Sequence, residues 1–309
     1  MVGGVNVNVE VSKVERFECE TPTCFITPCG NVVDVTMLSN CPHGSRIQKL
    51  DADHYLTFET GEVHEYQHAD NRKENILSLK RTLRRIRQIV NLNVTDPDRV
   101  LWVTLTYAEN MTDPERLHAD YVAFWKRFKR YLKTIKIDSA EYIAVAEPQG
   151  RGAWHLHCFF IFPGRRPFIE NAKLRALWGN GFVNVQKISG DIDNLGAYFS
   201  AYLGDMEIPA DKLDMYGASY KISEIKAVQG VEGKKYFIKG GRLNLYPSYF
   251  QMLRCSKGIK RPETIRGNLD DVKKITRGVS PSYEKNLEVK SESFSMSVKT
   301  CQYNLSRSK

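Results

Sequence analysis

The sequence predicts an α+β fold, a central antiparallel sheet with helices packed on it. Two observations carry that prediction. Between residues 99 and 204 the hydrophobic period changes in the order strand, helix, strand, strand, helix, strand, helix. Two of those strands, 141–147 and 154–162, are separated only by the turn cluster Pro148-Gln149-Gly150-Arg151-Gly152, a spacing that pairs them as an antiparallel hairpin.

Composition sets the outer bounds. The chain has 309 residues, of which 42% are hydrophobic, enough for a packed core. No run reaches the apolar length of a membrane-spanning helix. The first residues lack the basic-then-apolar pattern of a signal peptide, so a cytoplasmic protein is expected. A net charge of +9 and a pI near 9.1 favour a polyanionic partner, nucleic acid or an anionic membrane. Charge kept for solubility is the plainer alternative.

Residues 1–69 read as a short β-rich region. Val5, Val7 and Val9 alternate with polar residues, and Pro22, Pro28 and Pro42 interrupt the pattern. Four of the seven cysteines, Cys19, Cys24, Cys29 and Cys41, fall here, with His43 beside the last. They are candidate ligands for a structural Zn²⁺. Neither pair has the two-residue gap of a zinc knuckle, however, and ordinary thiols are the other reading.

Residues 70–91 predict a helix, with Asp70 or Asn71 as its cap. Ile76, Leu79, Leu83, Ile86 and Val90 form its apolar stripe. The remaining surface carries Arg81, Arg84 and Arg85 among seven cations and a single Glu74. Such a run is either a solvated face or, being nearly all one sign, a phosphate-facing one. The strand 99–107 follows, then a second helix, 115–135. Its apolar side holds Tyr121, Phe124, Trp125, Phe128 and Leu132, and its basic side includes Lys126 and Arg130. After the hairpin come a short helix at 170–178, a strand at 181–188 and a helix at 191–204. Residues 240–247 and 254–262 read as cation-rich loops and edges, the latter carrying Lys257, Lys260 and Arg261. Beyond Pro262 the chain turns polar and Ser/Lys-rich, which predicts a weakly ordered extension over 263–309.

The chemistry concentrates in Trp154-His155-Leu156-His157-Cys158-Phe159-Phe160. In a strand, residues two apart point to one face, so both imidazoles can reach one ion. Glu147, at the end of the partner strand, can complete a two-His, one-carboxylate set with open coordination positions. Tyr198 and Tyr202 lie four apart, on one helical face and about 6 Å from each other. Each feature has an ordinary reading as well. The histidines can be hydrogen-bonded, half-buried residues, Glu147 a surface carboxylate, and Leu195, Tyr198, Phe199 and Tyr202 a core stripe. Together they are the parts for cutting and rejoining DNA. Tyrosine, with a pKa of about 10, is a poor nucleophile alone. A divalent ion on the phosphate stabilises the charge that builds there, and Mn²⁺ or Mg²⁺ suits imidazole and carboxylate ligands. A phosphotyrosine bond then stores the phosphodiester energy that water would discard.

These stretches resemble the HUH endonucleases, and more closely the rolling-circle replication initiator (Rep) proteins of bacterial plasmids and phages. Val103-Thr104-Leu105-Thr106-Tyr107 is similar to the family's first strand motif. Glu147 through the turn to His155-Leu156-His157 is similar to its metal motif, and Tyr198 with Tyr202 to its tyrosine motif. The likeness covers roughly residues 70–262. It implies an RRM-like HUH fold over 70–262, flanked by the 1–69 and 263–309 regions. It also implies metal binding by His155, His157 and Glu147, and nicking by Tyr198, with Tyr202 a second nucleophile or a support. The DNA contacts would come from Arg81, Arg84, Arg85, Lys126, Arg130, Lys257, Lys260 and Arg261. The implied partners are single-stranded DNA, an origin duplex or hairpin, and a host helicase and polymerase, with a homodimer allowed and no membrane. Many members have a lysine three residues after the first tyrosine; here that position is Ala201, so the cation must come from elsewhere, with Lys187 and Lys221 nearby in sequence. The rival readings are a two-tyrosine transposase or relaxase, and a non-catalytic nucleic-acid-binding protein.

Overall fold

The computed structural model describes residues 10–39, 47–49, 54–57, 63–65, 76–149, 152–188, 194–208, 225–230, 233–238, 241–247, 250–291 and 294–307. The chain divides into two compact units, residues 1–68 together with 261–309, and residues 69–260. In chain order the first stretch carries β1 (Glu10–Lys13), β2 (Thr23–Cys29), β3 (Val32–Leu38), β4 (Ile47–Lys49), β5 (His54–Thr57) and β6 (Val63–Glu65). The second unit carries α1 (Ile76–Asn93), β7 (Val100–Tyr107), α2 (Pro114–Thr134), β8 (Glu141–Pro148), β9 (Trp154–Ile161) and α3 (Asn171–Trp178). It continues with β10 (Gly181–Gln186), α4 (Leu195–Gly204), β11 (Met206–Ile208), β12 (Ile225–Gly230), β13 (Gly233–Ile238) and β14 (Leu253–Cys255). The chain returns to the first unit with β15 (Ile265–Gly267), α5 (Leu269–Thr276), β16 (Tyr283–Ser291) and β17 (Phe294–Asn304). The class is α+β with antiparallel sheets, as the periodicity predicts. The predicted cap of α1 at Asp70 or Asn71 lies outside the described residues. Among the described residues no helix is long and apolar enough to cross a membrane.

The five-stranded sheet of the second unit has the order β10-β7-β9-β8-β14, so the histidine strand β9 is central. Every pairing in it is antiparallel, and β8 and β9 form the expected hairpin. Strand alternation sorts its residues onto two faces. Leu105, Tyr107, Leu156 and Phe160 face α2 and α3, where Phe160 meets Phe128 at 4.7 Å and Tyr107 meets Trp178 at 5.1 Å between ring centroids. Helix α2 forms because Leu117, Tyr121, Phe124, Phe128 and Leu132 recur at spacings of three and four, all buried. Its start is set by Asp113, whose side chain accepts from the Glu115 and Arg116 amides at 2.8 and 3.3 Å, with Pro114 at the first helical position.

The opposite face carries Trp102, Thr104, His155, His157 and Phe159, and α4 lies over it. Phe199 is fully buried against Trp102, Phe159 and His157, at centroid distances of 6.0, 5.0 and 5.6 Å. Helix α1 in turn packs on α4. Asn91 donates to Asn194 Oδ1 at 2.9 Å and accepts from the Gly196 amide at 2.7 Å, while Asn194 caps α4 by accepting from the Ala197 amide at 3.0 Å. The approach is so close that a Cβ on Gly196 would collide with the Arg87 carbonyl oxygen and Asn91 Oδ1. Gly196→Ala is therefore expected to destabilise the protein by about 1–3 kcal/mol, read as an earlier urea midpoint. An unchanged midpoint would mean that α4 can shift without cost.

In the first unit the sheet order is β1-β16-β17-β3-β2-β15, all antiparallel, with a separate three-stranded sheet β4-β5-β6. This corrects the weakly ordered extension expected at 263–309. That stretch supplies α5 and three strands, and β17 pairs with β3 from Val298↔Leu38 to Asn304↔Val32. Strand β16 pairs with its neighbour β17, but β1, β2 and β3, which join β16, β15 and β17, lie near the other end of the chain, where no local pattern discloses them. Cys301 and Tyr303 join Cys24, Ile26, Val33 and Val35 in a small core with Val272 of α5. The 1–69 and 263–309 regions are thus not two separate flanks.

Candidate metal and tyrosine site

Register brings the predicted residues together from three strands. On the α4 side of the sheet Glu147 of β8 is directly opposite His155 of β9, and His155 is opposite Thr106 of β7. One step along, Thr104, His157 and Val145 form the next row. Both histidines project to the same face, as their two-residue spacing predicts. Glu147 and His157 are only 3% and 7% exposed, and Glu147 Oε2 is in contact with His157 Nε2. The other carboxylate oxygen of Glu147 is paired with the Arg242 guanidinium.

Thr104 fixes the orientation of the His157 ring: its hydroxyl is hydrogen-bonded with Nδ1 at 3.1 Å and donates to Gln186 Oε1 at 3.3 Å. Burial pushes the imidazole down from its ordinary value to about 4, so the ring is neutral at physiological pH. Nε2 is the nitrogen that faces the Glu147 carboxylate, and a His whose other nitrogen is held by a fixed partner is the form that can ligate an ion. The donor chemistry fits a divalent ion at Glu147 and His157. Among the described residues no set of three His, Cys, Asp or Glu side chains is gathered to hold an ion; the His155 ring lies 6.4 Å from that of His157, centroid to centroid.

Helix α4 carries the tyrosines past this face. Its buried stripe is Leu195, Phe199 and Leu203. Tyr198 stands beside that stripe and is 44% exposed, with its ring edge-on to Trp102 at 6.4 Å, so it is not the core residue of the alternative reading. Tyr202 lies one turn further along α4. The hydroxyl of buried Tyr246 lies between the end of this helix and β8, 3.3 Å from the Leu203 carbonyl and 3.2 Å from that of Ala146, the residue before Glu147, and shares its one proton between them.

The cations divide. Arg81 and Arg85 are exposed and Arg84 half-buried on α1, the helix that packs on α4. Lys126 and Arg130 are exposed on α2, which covers the other face of the sheet, so the structure does not bring them to the histidines. Lys257 and Lys260 flank Gly258, whose amide donates to Glu141 Oε2 at 3.0 Å. Glu141 starts β8 and Glu147 nearly ends it, which places these lysines about 20 Å away along the strand. Arg261 falls in the other unit. Lys187 is exposed just after β10, and Lys221 lies outside the described residues.

The proposed zinc ligands do not converge either. Cys24 and Cys29 are five apart on β2 and so project to opposite faces, Cys24 into the core and Cys29 away from it. Cys19 Sγ donates to the Ser39 carbonyl at 3.9 Å, and Cys41 lies outside the described residues.

Sequence reasoning missed Arg242, Thr104, Gln186 and Tyr246. A signal existed for one of them: Thr104 and Thr106 alternate in step with His155 and His157. Arg242 reaches Glu147 from the 3₁₀ turn at Leu243–Leu245, across nearly a hundred residues, and sequence showed it only as a cation in a loop.

No curated protein and no solved structure shows a significant match to the chain. One family model does match, over residues 100–207, a stretch that runs from β7 through α4 and contains Glu147, both histidines and both tyrosines. By that segment the chain matches the family of the replication-associated protein ORF2.

Proposed function

We propose that this protein nicks and rejoins single-stranded origin DNA in rolling-circle replication, through a 5′-phosphotyrosine on α4. The observation that carries this reading is the contact of Glu147 with Nε2 of His157, beneath a helix that holds Tyr198 in solvent. His157 Nε2 and Glu147 Oε2 would hold a divalent ion, Mn²⁺ or Mg²⁺, with His155 joining by rotation of its side chain. When bound, the ion withdraws electron density from the phosphodiester and stabilises the charge on its oxygens.

The rest is done by the chain's own groups. Thr104 holds the His157 ring at Nδ1, which turns Nε2 toward Glu147. Arg242 neutralises Glu147, so the two together bring no net charge to the site, and an ion placed there keeps its full attraction for a phosphate. Arg242 also supplies a cation where the family's lysine is replaced by Ala201. Tyr198 Oη attacks phosphorus and loses its proton to water. The bond from phosphorus to the 3′ oxygen breaks, and that oxygen takes up a proton as a free 3′-hydroxyl. The reverse attack by a 3′-hydroxyl rejoins the strand and frees the phenol. Tyr202 would act on a second strand while the first is held. The cations of α1 would hold backbone phosphates.

The test is a denaturing gel of the full chain after incubation with a labelled pool of randomised single-stranded oligonucleotides and Mn²⁺. A labelled band that remains with the protein, and is absent in EDTA, is the expected result. Binding without such a band would make the protein a non-catalytic nucleic-acid binder.

A further inference from the structure

Strand β10 breaks the rule its neighbours obey. It is an edge strand of the sheet, and alternation gives it one apolar side, Val183 and Val185, packed on the core. Its other side should be polar, and Asn184 is exposed there. Phe182 shares that side and is 55% exposed. A half-exposed phenyl ring on an edge strand leaves an aromatic surface open to a partner.

Its position is specific. Phe182 pairs with Thr106, Thr106 with His155, and His155 with Glu147, so one register row runs from the exposed ring to the metal donors. All four project to the face covered further along by α4. Two inter-strand spacings, about 10 Å, separate Phe182 from His155. The Arg175 guanidinium, from α3, stands over the ring at 5.1 Å. An aromatic plane with a cation on it, level with a phosphate-handling centre, is the chemistry that holds an unpaired nucleobase.

We infer that Phe182, backed by Arg175, is a stacking seat for one base of the single strand whose backbone crosses the Glu147–His155 row. This rests on the function proposed above. Stacking accepts any base, so the seat supplies grip and register rather than sequence choice. It also favours single strands, since a paired base cannot offer its face. Arg175 adds positive charge for the adjoining phosphate.

The test measures binding of a fluorescent oligo-dT strand to the full chain by anisotropy, in EDTA so that no cleavage occurs. Phe182→Ala and Phe182→Leu are expected to weaken binding about tenfold, with Phe182→Tyr close to wild type. Phe182→Leu keeps an apolar side chain and removes only the aromatic plane. The exposed position keeps all three folded, checked by melting temperature. Alanine and leucine variants that bind as wild type does would overturn the seat. If the wild type forms the covalent adduct while Phe182→Ala leaves binding unchanged, this inference alone fails. If the wild type neither binds the strand nor forms the adduct, the proposed function fails and the seat with it.

Discussion

His157→Ala is expected to lower strand cleavage roughly a thousandfold, about 4 kcal/mol of lost charge stabilisation, while single-strand binding changes by no more than a few-fold. His157 is the residue on which the site's chemistry converges. It is central in the sheet, buried, held below the ordinary imidazole range by that burial, and tied at Nδ1 by Thr104 with Nε2 toward Glu147. Removing it takes away one donor and leaves Glu147 with Arg242 alone. EDTA should reproduce the loss in the wild type, and titration of Mn²⁺ followed by electron paramagnetic resonance should show a lower affinity in the variant. Cleavage that continues in EDTA, or in His157→Ala with its melting temperature preserved, would remove the ion from the mechanism.

Tyr198→Phe is expected to abolish the covalent protein–DNA adduct. The variant loses one oxygen at a position that is already exposed and leaves the Leu195–Phe199–Leu203 stripe of α4 untouched, so stability should change by less than about 0.5 kcal/mol, as at surface sites generally. Tyr202→Phe should leave the first adduct in place and impair only a second transfer. The reverse pattern, an undiminished adduct in Tyr198→Phe and none in Tyr202→Phe, would exchange the two assignments.

Much of this arrangement was legible from residues alone, for identifiable reasons. Strands β7 to β9 are apolar runs of strand length, α2 has apolar residues at spacings of three and four, and a short turn joins the β8–β9 hairpin, so local pattern sufficed for element order and pairing. Strand alternation placed His155 and His157 on one face, and the short hairpin put Glu147 opposite His155. What escaped was non-local. Arg242 meets Glu147 through a turn with no periodic signature. Strands β15, β16 and β17 meet β2, β1 and β3 from the other end of the chain, and their many Ser, Lys and Glu residues resembled a loose tail. The cations of α2 were counted with those of α1 because helical periodicity shows which residues share a side of a helix. It does not show which face of the sheet that helix covers.

The proposed joining of a phenol on α4 to a DNA phosphate beside the Glu147–His157 pair would leave its mark on the chain itself. It is tested most directly by mass spectrometry of peptides from the full chain, after incubation with Mn²⁺ and a pool of randomised single strands. The expected product is a nucleotide attached through its 5′ phosphate to Tyr198, with a matching strand that ends in a free 3′-hydroxyl. Attachment to a residue outside α4, or cleaved strands with free 5′ phosphates and no modified peptide, would contradict it.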